Sequence, residues 1–270
     1  MLRLGWITTG RGEGSLGFLK TVISSIENGD LEASIEFVFS NREFGEGEGS
    51  DNLFKFIEGK QIPLVTFSSS KYRSERGGGY WSKFREDYHS EVVEKLSIFN
   101  PQVSVLAGYL LITGKEMIRE MPMINLHPAL PNGPSGTWVQ VINELINNNA
   151  DESGVMVHSV TDTLDEGPIL SWCSYPIKGK LYDPLWKDLQ LVLNSQEKKN
   201  FEGSKLFRKI REDGIMYERP LLLKTLMAMA TREINVSDGN LIDRLGNPVA
   251  KNGLCLDTEV RQILSSNGLS

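Results

Sequence analysis

Three polar side chains in two short stretches of the sequence have the types and spacing that acyl transfer to an amine requires. Asn125 and His127 lie in "INLHP", at the end of an apolar run, and Asp165 lies in "TDTLDEGP". Residues two apart on a strand point to the same side. The amide and a protonated imidazole could therefore donate to a carbonyl oxygen that becomes negative during the reaction. A carboxylate could raise the pKa of the histidine and relay protons through a water.

Each of these residues also has a purely structural explanation. His127 could bond a backbone carbonyl at the strand end, Asn125 could be a turn residue, and Asp165 could form an Asx-turn before the next strand. Taken together and in this order, the three residues favour the catalytic hypothesis. The sequence has no Gly-x-Ser-x-Gly motif, and neither of its two cysteines is close in sequence to a histidine, so we predict no serine or cysteine nucleophile.

The elements that must position these residues alternate between short apolar runs and helical patterns. This alternation predicts an α/β, Rossmann-like fold with a mostly parallel, twisted sheet and helices on both faces. The predicted strands are residues 2–8, 35–40, 62–67, 102–108, 122–127, 154–160 and 167–177. The main predicted helices follow the first strand and cover about 51–58, 81–99, 137–148 and much of 183–232. Residues 68–80 have the composition of a mobile surface loop.

The domain organisation follows from the same patterns. We predict one catalytic domain over residues 1–233, which contains an insertion near 180–204. Residues 234–270 change character to short strands and turns, and they predict a small C-terminal extension.

A glycine-rich loop follows the first strand. It contains Gly12-x-Gly14-x-x-Gly17 and opens a helix, as a dinucleotide-binding loop does. The second strand, however, ends in "FSN" without the acidic residue that would hold a ribose, and Glu13 places a negative charge inside the loop. These features disfavour a nicotinamide cofactor. Backbone N–H groups at Gly14 and Ser15 could hold a single phosphate, or the glycines could serve only a tight turn.

Bulk composition excludes some classes of protein. The net charge of -6 disfavours a general nucleic-acid binder. Two cysteines are too few for a disulfide framework, so a cytoplasmic protein is expected. The N-terminal residues lack the long apolar core of a signal peptide, and no stretch is long enough to span a membrane, so we expect no membrane partner.

The stretches "INLHPALP" and "GVMVHSVTDTLDEGPIL" together resemble the folate-dependent formyltransferases, whose pattern is Asn-x-His-Pro followed by Gly-x-x-Val-His-x-Val-x-x-x-x-Asp-x-Gly-Pro. The resemblance implies that Asn125, His127 and Asp165 move the formyl group of 10-formyltetrahydrofolate to an amine. The implied acceptor is glycinamide ribonucleotide of purine synthesis; an amino-sugar nucleotide is an alternative acceptor, as is an aminoacyl-tRNA, which the acidic charge balance disfavours. The alternative functions are a hydrolase that releases formate from the same cofactor and an idle folate- or nucleotide-binding module. The resemblance also implies small-molecule substrates and no metal, and it is compatible with a homodimer.

The resemblance also nominates binding residues. The implied substrate-binding residues are Gly12, Gly14, Ser15, Arg85, His158 and Glu212. The implied folate-binding residues are Leu111, Thr113, Thr161 and Asp162. Arg85 could instead be an exposed helix arginine and His158 a packed strand histidine, and His89 is expected to be an exposed helix residue.

Two stretches depart from the family pattern. The family's phosphate loop reads Gly-x-Gly-Ser-Asn, whereas Leu16 stands in place of that Asn here. After the His-Pro pair, "ALPNGPSGTW" differs from the usual "SLLP" continuation. Both departures concern the acceptor side, so the chemistry is better supported than the acceptor.

Overall fold

The structure is a computed structural model that describes residues 1–193, 200–237, 240–249 and 252–266. Within it the chain forms two units. The first comprises Met1–Asn125, Ser159–Thr163 and Met229–Thr231. The second comprises Leu126–His158, Leu164–Ala228 and the described part of Arg232–Ser270. The predicted catalytic domain, 1–233, and extension, 234–270, stay predictions. Residues 194–199 of the predicted insertion, and 238–239, 250–251 and 267–270 of the tail, lie outside the described residues.

Strands in the described residues follow the predicted order. They are β1 (Leu2–Thr8), β2 (Ala33–Ser40), β3 (Leu64–Thr66), β4 (Val103–Leu106), β5 (Met123–His127), β6 (Glu152–Ser159), β7 (Ile169–Pro176), β8 (Asn235–Ser237), β9 (Asn240–Ile242) and β10 (Leu254–Cys255). In the first unit β5-β4-β1-β2-β3 lie side by side and are all parallel. In the second unit β6 is antiparallel to β7, which pairs in parallel with β10, and β8 pairs antiparallel with β9.

The helices of the described residues lie between and after these strands. They are α1 (Glu13–Glu27), α2 (Glu48–Gly59), α3 (Ser69–Glu75), α4 (Arg85–Leu96), α5 (Lys115–Glu120), α6 (Trp138–Asn147), α7 (Asp183–Leu193), α8 (Lys205–Ala230) and α9 (Asp257–Ser266). The prediction of an α/β fold with a mostly parallel sheet and helices is confirmed.

The first unit has a core built on its parallel strands. Every residue of β4 is buried, as is typical of a parallel strand covered on both faces. One cluster of buried side chains unites strand and helix residues of this unit: Ile7, Phe37, Phe39, Tyr72, Phe84, Tyr88, Val92, Leu96, Leu106, Met117, Met121 and Met123.

A glycine fixes the course of the chain just after β4. Gly108 has a φ of +71°, and a β-carbon there would lie 2.5 Å from Oγ of Ser15 in the first turn of α1. Only a residue without a side chain therefore fits this conformation and this approach. The next segment is tied to the end of β1, because Thr9 N–H donates to the Gly108 carbonyl at 3.1 Å and Leu110 N–H donates to Oγ1 of Thr9 at 3.0 Å.

The prediction of a mobile loop over residues 68–80 is wrong for residues 69–75. Residues Ser69–Glu75 form α3, and the side chain of Ser68 caps it by accepting from Lys71 N–H at 3.0 Å. Tyr72 is buried, stacks edge-on against Tyr88, and donates to Oε1 of Glu91 at 3.0 Å. Partners distant in sequence thus stabilise a helix whose own composition is polar.

The predicted helix over 81–99 is interrupted, and His89 is not exposed. A 3-10 turn covers Trp81–Lys83 before α4 begins at Arg85. The expectation for His89 is wrong because this residue lies on the same helix face as Tyr88 and Val92, and the three are completely buried.

The second unit carries α6 to α8 and the tail. A capping box between Thr137 and Gln140 starts α6, which buries Val141, Ile142, Leu145 and Ile146. The tail contains the expected short strands and also a helix, α9, that was not predicted. Asp257 at the start of α9 accepts from the amide of Ser174 at 2.7 Å and from its hydroxyl at 3.0 Å, which joins the tail to β7.

Candidate active site

His127 ends β5, and its side chain is buried between two acceptors. Its Nε2 atom lies 2.9 Å from the carbonyl oxygen of Pro134, and its Nδ1 atom lies 3.5 Å from Oδ2 of Asp165. A neutral imidazole has one N–H and satisfies only one of these acceptors, whereas an imidazolium donates to both.

Asp165 lies in the turn between β6 and β7 with a φ of +58°. This left-handed conformation is tolerated best by Asn and Asp among residues with a side chain. The side chain is 7% exposed, and its Oδ2 atom also lies 3.4 Å from the amide of Gly136. Burial raises the pKa of the carboxyl, but a hydrogen bond from His158 and the charge of His127 outweigh burial, so the pKa is lowered.

His158 completes this cluster from β6. Its Nε2 atom lies 3.6 Å from Oδ1 of Asp165, and its ring centroid lies 6.4 Å from that of His127. The side chain is buried, which agrees both with a residue that lines the site and with a packed strand histidine. The structure therefore brings three of the predicted site residues together: two imidazoles on either side of one buried carboxylate.

The loop after β5 supplies two backbone groups that sequence analysis missed, the Pro134 carbonyl and the Gly136 amide. The loop is seated on β6 at Gly154, where an added β-carbon would lie 2.3 Å from Cδ2 of Leu130 and 2.5 Å from the Cys173 carbonyl oxygen. The two glycines and two prolines of "LPNGPSGT" were a signal of a tightly shaped loop. Nothing in the residue types indicated which backbone group would face the histidine.

Asn125 lies in β5 two residues before His127 and pairs with Leu106 of β4. This spacing on a strand puts two side chains on the same side, and Asn125 is half-buried. Its role as a donor stays a prediction.

Comparison with known proteins bears on this arrangement. The formyl transferase family model matches residues 10–182, which include β5, β6 and the turn that carries Asp165. This chain belongs to the formyl transferase family.

Two curated relatives of this chain carry the same name. A phosphoribosylglycinamide formyltransferase of Escherichia coli strain K12 is 25% identical over 163 residues, which cover 59% of this chain and 68% of the relative. A phosphoribosylglycinamide formyltransferase of Schizosaccharomyces pombe is 30% identical over 167 residues, which cover 58% of this chain and 76% of the relative. The solved structure of a phosphoribosylglycinamide formyltransferase from Coxiella burnetii, at 22% identity, has the same fold, with a TM-score of 0.65 over 94% of this chain and 98% of that one.

The glycine-rich loop of this formyl transferase opens α1. Gly12 is the N-cap and offers no side chain to the first turn, where Gly14 and Ser15 lie. The space around Gly12 and Gly14 is open, since a β-carbon at either would meet nothing within 4 Å. Phosphate binding by these residues stays a prediction.

Arg85 is the first residue of α4 and pairs with its neighbour Glu86, to which Nε donates at 2.9 Å. Its predicted contact with substrate is untested. Glu212 lies exposed on α8, whereas the adjacent Asp213 is buried and accepts from the Tyr182 hydroxyl and, at 2.6 Å, from Lys209. The assignment of Glu212 to substrate binding also stays a prediction.

The residues predicted to bind folate belong to two segments of the first unit. Leu111 and Thr113 follow β4, where Leu111 packs partly against the core cluster and Thr113 is buried. Thr161 and Asp162 follow β6, and the hydroxyl of Thr161 donates to the Thr163 carbonyl at 3.1 Å. Their role in folate binding stays a prediction.

The described residues contain neither a membrane-spanning helix nor a cluster of metal-ligating side chains. No helix in those ranges is long and apolar enough to cross a membrane. No group of three or more His, Cys, Asp or Glu side chains in the same ranges could hold a metal ion. The prediction that the protein uses no metal is not tested by this result.

Proposed function

We propose that this formyl transferase moves the formyl group of 10-formyltetrahydrofolate to the primary amine of glycinamide ribonucleotide. The observation that supports this most is the cluster of His127, Asp165 and His158, with Asn125 two residues before His127 in the same strand. The family membership supports the reaction, and the name of the two curated relatives from Escherichia coli and Schizosaccharomyces pombe supports the acceptor.

The proposed reaction begins when the acceptor nitrogen attacks the formyl carbon. A new C–N bond forms, and the formyl oxygen becomes negative. The Asn125 amide and the His127 imidazolium donate to that oxygen, which is commonly the largest catalytic contribution. The C–N bond to the folate then breaks. Asp165, working through a water, takes the proton that the acceptor nitrogen loses and returns it to the folate nitrogen.

An imidazolium has two N–H groups, and the two ring nitrogens of His127 face Pro134 and Asp165. His127 can therefore donate to a substrate only if it gives up one of these two partners. In the proposed cycle the Nε2–H moves from the Pro134 carbonyl to the formyl oxygen when the substrates bind. The Nδ1–H stays directed at Asp165. The lowered pKa of Asp165 keeps the carboxylate ionised at neutral pH, so that it can stabilise the imidazolium.

The binding residues of the proposal follow the family pattern. Gly12, Gly14 and Ser15 hold the acceptor phosphate at the N-terminus of α1, where backbone N–H groups and the helix dipole favour an anion. Arg85, His158 and Glu212 are assigned to the acceptor. The folate is assigned to Leu111, Thr113, Thr161 and Asp162.

A turnover assay tests the proposal. The purified protein is given 10-formyltetrahydrofolate, and release of tetrahydrofolate is followed with and without glycinamide ribonucleotide. Release that requires glycinamide ribonucleotide is the expected result. Release only with an amino-sugar nucleotide would overturn the acceptor, and release without any amine would indicate hydrolysis. Folate binding without release on any amine would overturn the enzymatic proposal in favour of an idle binding module.

A further inference from the structure

Segment 109–114, which follows β4, is tied down along its backbone. The amide of Gly114 donates to Nδ1 of His89 at 3.1 Å, and the indole of Trp81 donates to the Ile112 carbonyl at 3.3 Å. The next amide, that of Lys115, donates to Glu86 at 2.7 Å. These three anchors all come from α4 or the turn before it.

The same segment presents two aliphatic side chains to solvent. Leu110 is 59% exposed and Ile112 is 51% exposed, although the backbone on either side of each is fixed. The segment leaves the carboxyl end of a parallel strand, which is where open α/β sheets bind ligands. A backbone held this firmly under exposed apolar side chains has the features of a preformed binding platform.

His89 is the central anchor because it is completely buried and has polar neighbours on both ring nitrogens. Its Nε2 atom lies 3.0 Å from the hydroxyl of Tyr109, and its Nδ1 atom lies 2.7 Å from the Arg85 carbonyl. The amide of Gly114 needs a lone pair on Nδ1, so the tautomer that holds it is the neutral ring with its proton on Nε2, directed at the Tyr109 hydroxyl. The other neutral tautomer donates from Nδ1 to the Arg85 carbonyl instead. Burial lowers the pKa of His89 to about 4, which keeps the ring neutral at physiological pH.

We propose that His89 is a positioning residue for the co-substrate: it fixes the backbone of segment 109–114 so that this segment receives the folate without first having to order. The inference rests on the proposed function, which assigns Leu111 and Thr113 of this segment to folate binding. His89 itself, being buried, acts through the Gly114 amide and the Tyr109 hydroxyl and does not touch the ligand.

Substitutions of His89 separate positioning from packing. His89→Phe keeps a ring against Trp81 and Tyr88 but removes both nitrogen contacts. His89→Asn loses the ring but keeps an oxygen near the place of Nδ1, where it accepts from the Gly114 amide. If His89 only fills space, Phe should be the better replacement. If His89 positions the segment, Asn should be the better replacement.

Binding of 5-formyltetrahydrofolate, a stable isomer used here as the probe, is measured by calorimetry together with amide hydrogen exchange of residues 109–115. We expect His89→Phe to raise the Kd about tenfold, equivalent to about 1.4 kcal/mol, and to speed exchange at Gly114. We expect His89→Asn to recover most of the affinity. Trp81→Phe, which removes the N–H that donates to Ile112 and keeps an aromatic ring beside Tyr88 and His89, is expected to raise the Kd about threefold.

The matched control is Tyr72→Phe. It removes a hydrogen bond to Glu91 from a buried ring of the same core cluster and leaves segment 109–114 untouched. Unchanged Kd and exchange in His89→Phe, or an equal loss in Tyr72→Phe, would overturn the positioning role. If the unmodified protein fails to bind the probe, the proposed folate co-substrate is wrong, while the exchange rates still decide whether His89 holds the segment.

Discussion

The Nε2 atom of His158 lies 3.6 Å from one carboxylate oxygen of Asp165, and the Nδ1 atom of His127 lies 3.5 Å from the other. Each histidine therefore has its own oxygen, and neither has to displace the other. A carboxylate that is 7% exposed would normally be costly to ionise. The imidazoles on either side offset that cost, so the buried carboxylate of Asp165 holds a negative charge next to His127, the proposed oxyanion donor.

Replacing Asp165 with Asn should lower the transfer rate about 10³-fold, because the proton relay and the partner of the His127 imidazolium are lost together. Asn tolerates the left-handed backbone at this position, so the fold should survive. Initial rates and a thermal melt measure the two effects. The control is Glu166→Gln, which removes the exposed carboxylate next in the chain and should leave the rate within twofold, roughly. Activity of Asp165→Asn within a few-fold of the original would refute the relay.

His127 and Asp165 should behave as a unit in a double-mutant cycle. His127→Gln and Asp165→Asn each disrupt the same proposed proton and charge arrangement, so the second change should cost far less when the first is present. The values of kcat/KM for the four proteins give the coupling. Fully additive losses would mean that the two side chains act independently, contrary to their 3.5 Å approach.

Acid should destabilise the protein through His89. Its pKa falls from 6.5 to about 4 on folding, mainly through burial, against the opposing effects of the Arg85 carbonyl and Glu86. The folded state thus disfavours the proton that the unfolded chain binds. Above pH 6.5 His89 does not lower the free energy of unfolding. As the pH falls toward 4, protonation of His89 in the unfolded chain lowers that free energy by about 3 kcal/mol in all.

Urea unfolding at intervals between pH 7 and pH 4 measures this loss. In His89→Phe the pH dependence should be shallower than in the original protein, because the variant has no group at this place to protonate. Parallel stability curves for the two proteins would show that His89 does not contribute in this range.

Gly154→Ala should lower the free energy of unfolding by about 2 kcal/mol or more, since the new methyl group overlaps Leu130 and the Cys173 carbonyl. It should also slow transfer, because Leu130 belongs to the loop that reaches His127. Adding Leu130→Ala should restore only part of the stability, as the carbonyl still blocks the methyl group. Gly203→Ala is the control, because a β-carbon there meets nothing within 4 Å. Unfolding in urea provides the comparison, and equal costs at the two glycines would contradict the packing described.

Much of the fold and of the candidate site was predictable because it depends on local patterns. The buried runs of β1, β4 and β5 are short, apolar and bounded by turns, so they could be recognised without knowing their neighbours. The approach of His127 to Asp165 could be predicted because each of the two motifs comes at the end of a predicted strand. Even the left-handed turn at Asp165 agrees with a residue type that tolerates it.

Other features depended on contacts between residues distant in sequence. Residues 69–75 form a helix because Tyr72 finds Tyr88 and Glu91, and the tail adds α9, whose Asp257 holds Ser174. The burial of His89 depends in the same way on the segment that folds over it.

The sequence by itself determined the class of fold and which side chains could do chemistry, because hydrophobic period and residue type are local properties. The tertiary structure alone decided which backbone groups meet those side chains: the Pro134 carbonyl at His127, the Gly136 amide at Asp165 and the Gly114 amide at His89. Every residue except proline carries the same amide and every residue the same carbonyl, so no residue type marks the one that will be used.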